Sequence, residues 1–394
     1  MITMANQDSL KSTTEQQFVV DQPFAADQPS VLKQPAARGR NFLRPDFADL
    51  TPYDPGFVDA QVILSANENN FGIPARVHEQ MQNALRKTLL NRYPDPLAHD
   101  LRSEIASWHA VNPQNVLLGN GGDELIFNLL LAFGGPRRKM LNCPPTFSIY
   151  ALYAQLTGTK VVHVPRLPET FQLDTQAVAA AAQDCDLVFL TTPNNPTGDV
   201  IDREWIARFA AATPALVIVD EAYGDFLAAE SSCIPLVSEH ENLAVLRTLS
   251  KAFALAGARC GYLIASQSVI DGLAAVRQPY SVNVLTQAVA VTAVREREAF
   301  QPAISQIKAE RERLREELSQ INGVQVWPSA ANFILVRLPN AHKIHKILQE
   351  KYSILVRDFS CSPSLANCLR ISIGTPQEND QLIRAITEII TSQL

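Results

Sequence analysis

Leu216-Val217-Ile218-Val219-Asp220-Glu221-Ala222-Tyr223 is an aliphatic run that ends on two carboxylates and a phenol. Four apolar residues without polar alternation read as a strand buried on both faces, as in a parallel sheet covered by helices. A carboxylate at the end of such a strand is costly unless something cationic meets it. A satisfied turn cap is the plainer account, and the surroundings must choose. Working outward, further strand-like runs occupy residues 160–164, 186–190, 243–246 and 261–265. Segments 175–183 and 203–212 between them are helical by composition and spacing. Strands alternating with helices predict an α/β chain with a mainly parallel sheet, covered on both faces.

Open α/β sheets bind ligands at the carboxyl ends of their strands, and three more polar clusters fall at such ends. Gly119-Asn120-Gly121-Gly122-Asp123-Glu124 joins the run 116–118 to an apolar helix at 125–133. A glycine-rich turn there offers free N–H groups and the helix dipole to a phosphate, or is only a tight turn. It is no dinucleotide fingerprint, because Glu124 stands where the third glycine belongs, and no P-loop occurs. Thr192-Pro193-Asn194-Asn195-Pro196-Thr197-Gly198 is a rigid loop able to present an amide. Thr248-Leu249-Ser250-Lys251, with Arg259 downstream, sets a lysine beside two hydroxyls and the apolar run 252–255. Such surroundings lower an ammonium pKa, although a lone lysine is usually a surface charge.

Asn195, Asp220, Tyr223, Lys251 and Arg259 follow one another on successive strand ends. In Asn195-Pro196-Thr197-Gly198, Asp220-x-Ala222-Tyr223 and Ser250-Lys251 the chain resembles the pyridoxal-phosphate aminotransferases of fold type I, from about residue 51 onward. The resemblance implies a seven-stranded, mainly parallel sheet in a three-layer αβα domain, with a smaller α+β domain. It implies that Lys251 forms a Schiff base with pyridoxal 5'-phosphate and shuttles the substrate proton. Asp220 would pair with the pyridine nitrogen, keeping the ring an electron sink. Asn195 and Tyr223 would hydrogen-bond the cofactor phenolate. Its phosphate would rest on Gly122, Asp123, Thr248, Ser250 and Arg259. Phe147, in Pro145-Thr146-Phe147, would stack on the ring, where it is otherwise an ordinary core residue.

Further segments are similar to the histidinol-phosphate aminotransferase family. They are Pro52-Tyr53-x-Pro55-Gly56, Leu64-Ser65-Ala66-Asn67-Glu68-Asn69, Asn91-Arg92-Tyr93-Pro94-Asp95-Pro96, Pro279-Tyr280-Ser281-Val282-Asn283, Ala331-Asn332-Phe333 and Val356-Arg357-Asp358 with Cys368-Leu369-Arg370-Ile371. The resemblance implies transfer of an amino group between histidinol phosphate and 2-oxoglutarate, giving imidazole acetol phosphate and glutamate in histidine biosynthesis. Arg370 would take the substrate carboxylate and Arg357 the phosphate, both by the planar guanidinium fork that lysine lacks. Tyr53, Asn67 and Asn332 would complete the substrate site. Tyr93 would reach the cofactor phosphate of a neighbouring subunit, making a homodimer. Ser281, Gly122 and Asn70 depart from the family pattern, where Asn, Ser and Pro are usual; none touches Lys251, Asp220 or Asn195. An aromatic or broad-specificity aminotransferase and a threonine-phosphate-type decarboxylase are the alternatives. A silent cofactor-binding regulator fits poorly, since Lys251 and Asp220 are both present.

Composition limits the other classes. The 394 residues carry 34 Lys plus Arg against 40 Asp plus Glu, a net charge of −6. A mildly acidic chain without a basic cluster argues against nucleic acid as a partner. No apolar window approaches a membrane span. The six cysteines lie far apart with no Cys-x-x-Cys, so no disulfide framework or metal site is expected. These features predict a soluble, cytoplasmic globular protein and say nothing about its chemistry. Residues 1–40 read as a disordered polar extension without a secretory or transit signal. Residues 41–75 read as an arm joining the small domain, 76–295 as the cofactor domain and 296–394 as the small domain. Residues 295–321 read as one long charged helix, kinked near Pro302.

Overall fold

A computed structural model describes residues 42–47, 50 and 58–393. The expectations for residues 1–40 and for Tyr53 lie outside them. The chain divides at Pro55 into two units, Met1–Pro55 and Gly56–Leu394. In the first unit the described residues form one short turn, Pro45–Phe47, with Arg44 paired to Asp46 at 2.5 Å. The second unit holds everything that follows.

Its strands are β1 (Val62–Leu64), β2 (Val116–Asn120), β3 (Lys139–Asn142), β4 (Lys160–His163), β5 (Leu187–Thr191), β6 (Leu216–Asp220), β7 (Leu243–Thr248), β8 (Cys260–Ala265), β9 (Gln325–Val326), β10 (Phe333–Arg337), β11 (Ile354–Asp358) and β12 (Cys368–Ser372). Its helices are α1 (Ala75–Arg86), α2 (His99–His109), α3 (Gly121–Phe133), α4 (Ile149–Thr157), α5 (Thr175–Ala182), α6 (Arg203–Ala212), α7 (Gln267–Val276), α8 (Val284–Arg295), α9 (Gln301–Ser319), α10 (Ala341–Tyr352) and α11 (Pro376–Gln393).

Seven strands form the large sheet in the order β2-β8-β7-β6-β5-β3-β4, in which β8 alone runs against its neighbours. Its central strands are aliphatic on both faces because both faces are covered. Val217, Val219 and Val245 enter one apolar cluster, and Ile218, Leu246 and Tyr150 the other. Side-chain caps start several helices: Asp174 accepts from Ala177 N at 3.0 Å and Asp202 from Glu204 N at 3.1 Å. The second sheet, β1-β11-β12-β10-β9, draws its edge strand from far away, since β1 pairs in parallel with β11.

The expected single helix over 295–321 is not observed. The helix α8 ends at Arg295, a short 3-10 turn spans Arg297–Phe300, and α9 begins at Gln301 with Pro302 in its first turn. Proline lacks the N–H that an interior position must donate but fits a first turn, so the chain restarts there. Among the described residues no helix is long and apolar enough to cross a membrane. All six cysteines are free thiols, with Cys361 the exposed one.

Candidate active site

The carboxyl ends of β2, β5, β6 and β7 bring four polar clusters to one edge of the large sheet. Asp220 ends β6 and is buried. Its Oδ2 accepts from the Tyr150 hydroxyl at 2.6 Å and its Oδ1 from Ala222 N at 2.9 Å. No cationic side chain among the described residues pairs with it, and burial pushes its carboxyl up to about 6. Such a group suits a cation that the described residues do not supply.

Lys251 follows β7 and is half-buried. Its Nζ donates to Ala66 O at 2.9 Å and lies 5.8 Å from the centre of the Tyr223 ring. Burial, then the nearby Arg370 guanidinium, pulls the ammonium down to about 8. The Tyr223 hydroxyl accepts from Asn67 Nδ2 at 2.9 Å. Asn195 Oδ1 accepts from Arg370 Nη1 at 2.6 Å, which leaves the Asn195 amide N–H groups for another acceptor.

The start of α3 forms an anion cradle with the residues after β7. Gly121 has φ +82°, and a Cβ there would lie 2.5 Å from Arg259 Nη2. A Cβ on Gly261 would meet the Gly121 and Gly122 backbone at 2.7 Å, so β8 and the start of α3 approach closely here. Arg259 pairs with Asp123 at 3.0 Å, both half-exposed. Thr248 Oγ1 stands 2.9 Å from Ser250 Oγ, and both residues are buried. Hydroxyls, a guanidinium and a helix start suit a phosphate, while Asp220 suits a protonated ring nitrogen. The residues present therefore fit pyridoxal 5'-phosphate.

The second sheet supplies the opposite wall. Arg357 on β11 and Arg370 on β12 are cross-strand partners, so their side chains leave the same face. Arg370 is buried, with Nη2 donating to Ser65 O at 2.5 Å and its guanidinium 5.5 Å from the Phe333 ring centre. Arg357 is half-buried. Asn67 and Asn332 brace the segment between: Ser372 Oγ lies 3.0 Å from Asn67 Oδ1, and Asn332 Nδ2 donates to Asn67 O at 2.9 Å. Phe147 is half-buried and meets Tyr150 edge-to-face at 5.6 Å. Tyr93 stands apart from these contacts, 82% exposed and stacked on Tyr280 at 4.7 Å. Asn70, which departs from the family pattern, donates to Glu378 at 3.0 Å.

Tyr150, which holds Asp220, is not among the residues expected from sequence. It lies on α4, a helix whose apolar composition hides one buried phenol; its only signal is its place one turn beyond Phe147. The backbone carbonyls of Ser65 and Ala66 carry no side-chain signal at all.

The profile described as "Aminotransferase class I and II" matches residues 59–386. The histidinol-phosphate aminotransferase of Caldanaerobacter subterraneus subsp. tengcongensis is 38% identical over 353 residues, covering 89% of this chain and 99% of the relative. Histidinol-phosphate aminotransferase 1 of Carboxydothermus hydrogenoformans is 42% identical over 352 residues, with the same coverage. The crystal structure of the Sinorhizobium meliloti histidinol-phosphate aminotransferase in complex with pyridoxal-5'-phosphate superposes with a TM-score of 0.82 at 26% identity, covering 90% of this chain and 99% of that one. The fold is that of a pyridoxal-phosphate-dependent aminotransferase of fold type I. The chain belongs to the class I and II aminotransferase family and, within it, to the histidinol-phosphate aminotransferases.

Proposed function

We propose that this aminotransferase moves an amino group between L-histidinol phosphate and 2-oxoglutarate, giving imidazole acetol phosphate and L-glutamate in histidine biosynthesis. When bound, pyridoxal phosphate supplies an electron sink for the charge left at the substrate carbon. Lys251 Nζ would hold the cofactor and serve as the base that moves the substrate proton; its pKa of about 8 leaves an uncharged fraction near neutrality. Asp220, held by Tyr150 and Ala222 N, keeps the proton on the ring nitrogen. Tyr223 and Asn195 donate to the cofactor phenolate, and Phe147 covers the ring. Gly122, Asp123, Thr248, Ser250 and Arg259 hold its phosphate.

The observation that carries the substrate reading is the cross-strand pairing of Arg357 with Arg370. Two guanidiniums on one face suit a site that must accept in turn a phosphate monoester and a dicarboxylate. Arg357 takes the phosphate and Arg370 the carboxylate, with Asn67 and Asn332 completing the site. Residues 76–295 form the cofactor domain and 296–394 the small domain. The pairing of β1 with β11 supports assigning residues 58–75 to the latter.

The working enzyme is a cytoplasmic homodimer. An exposed apolar strip supports the dimer: Leu89 is 64% exposed, Leu90 73% and Tyr93 82%. In it Tyr93 reaches the neighbouring cofactor phosphate. Comparing kcat/KM for histidinol phosphate with that for phenylalanine, with 2-oxoglutarate as acceptor, tests the substrate. A preference of at least a hundredfold for histidinol phosphate is expected; equal values would point to the broad-specificity alternative.

A further inference from the structure

On the far side of the strand ends that carry Asp220 and Thr248 lies a buried ion cluster with no place in the chemistry above. Side chains alternate across a strand. Asp220 and Thr248 therefore turn to one face, while their neighbours Glu221 and Arg247 turn to the other. Arg247 Nε donates to Glu221 Oε2 at 2.9 Å, its Nη1 to Asp225 Oδ1 at 3.0 Å and its Nη2 to Ser232 Oγ at 3.1 Å. Glu221 also accepts from Ser232 Oγ at 2.8 Å and from Cys233 N at 2.6 Å. Arg247 is 5% exposed and Glu221 1%. The backbone yields to this cluster, since a Cβ on Gly224 would lie 2.8 Å from Arg247 Cζ.

Stability alone does not account for it. Apolar side chains of the same volume commonly do as well as a buried ion cluster, and what charged groups add is a unique geometry. The geometry fixed here is specific. Arg247 sits four residues before Lys251, and its partners Glu221 and Asp225 bracket Tyr223.

We infer that Arg247 is a positioning residue: by gripping Glu221, Asp225 and Ser232 it holds Asp220 and Tyr223 in register with Lys251. The inference rests on the assignment of those three residues to the cofactor. Arg247→Lys keeps the charge but loses the fork, Gly224→Ala pushes a methyl against the guanidinium, and Ser232→Ala removes one contact. Arg313→Ala, in the ion pairs of α9 with Glu310, Glu317 and Asp380, is the control for lost stability.

The readouts are cofactor affinity, from titration of the ligand-free protein, and the pH midpoint of the visible band of the bound cofactor. Arg247→Lys and Gly224→Ala should weaken affinity at least tenfold and move the midpoint by half a pH unit or more. Ser232→Ala should act in the same direction more weakly, and the control should change neither. Lower melting temperatures with parental affinity and midpoint would overturn the inference. Should Arg247→Lys fail to fold, Gly224→Ala and Ser232→Ala decide by the same criteria. Tyr223→Phe separates the two ideas. No movement there defeats the reading of Tyr223 and this role with it, whereas movement there and none in the Arg247 series defeats the role of Arg247 alone.

Discussion

The proposed cofactor cradle and the proposed substrate wall are built differently. The cradle stands on strand ends of one sheet, where β2, β6 and β7 each deliver a short motif. Its key contacts are local or between adjacent strands, such as Thr248 with Ser250 and Asp220 with Ala222 N. The wall is assembled from three distant pieces. Arg370 reaches Asn195 and Ser65, and Ser372 meets Asn67, across separations of 175 and 305 residues. A rigid sheet suits groups that must always meet one ligand in one pose. A wall of packed remote segments suits groups that accept two different anions.

This contrast predicts lesions of different kinds. Lys251→Ala is the most severe, since it removes both the cofactor attachment and the base. Turnover should fall by at least about 10⁴-fold with every substrate, and the visible band of the holoenzyme should vanish; persistence of the band would refute its role.

Wall lesions should be selective. Arg357→Ala should cost about 1.5–3 kcal/mol, ten- to a hundredfold in kcat/KM, for histidinol phosphate while leaving glutamate within a fewfold. Arg370→Ala should impair both substrates. Equal losses for both in Arg357→Ala would erase the distinction between the two arginines.

Asp220 gives a pH test confined to the cradle. Burial raises its carboxyl from 3.8 to about 6, so its ionisation opposes folding over that window. Its contribution to the stability of the ligand-free protein should be lost as pH rises from 3.8 to about 6. Added cofactor should reverse this trend, because a cationic partner favours the carboxylate. Affinity for the cofactor should correspondingly weaken as pH falls through about 6. Tyr150→Phe, lacking the 2.6 Å donor, should move that midpoint upward. Melting curves and cofactor titrations across this range decide it.

The smallest effect is expected at Gly122, whose added Cβ would have Leu246 Cδ2 at 3.8 Å as its nearest neighbour. Gly122→Ser should change stability by no more than about 0.5 kcal/mol. A large loss in a melting curve would show that the cradle needs glycine there.

The same contrast explains what could be read without coordinates. The runs 216–219 and 243–246 were legible as strands because aliphatic residues buried on both faces leave a continuous pattern. The three-residue β1 leaves too little periodicity to read, and it carries an exposed Ile63 in its centre. The helix over 295–321 was overread because its charges continue past a proline that in fact opens α9. In the site, Asn195, Asp220, Tyr223 and Lys251 were visible as chemical types at strand ends. Tyr150 was not, since nothing distinguishes a buried phenol that donates to a carboxylate from one that fills a core.

By itself, then, the sequence determined most strands of the large sheet, because hydrophobic periodicity encodes local structure, whereas the cofactor and the roles proposed for the cradle residues came from motifs that resemble a known family. Tertiary structure alone decided that Arg357 lies opposite Arg370, that Ser65 and Ala66 turn their carbonyls to Arg370 and Lys251, and that Tyr150 and Arg247 support Asp220 and Glu221. Those contacts join residues remote in the chain, and their energies depend on burial and distance, which exist only once the chain has packed.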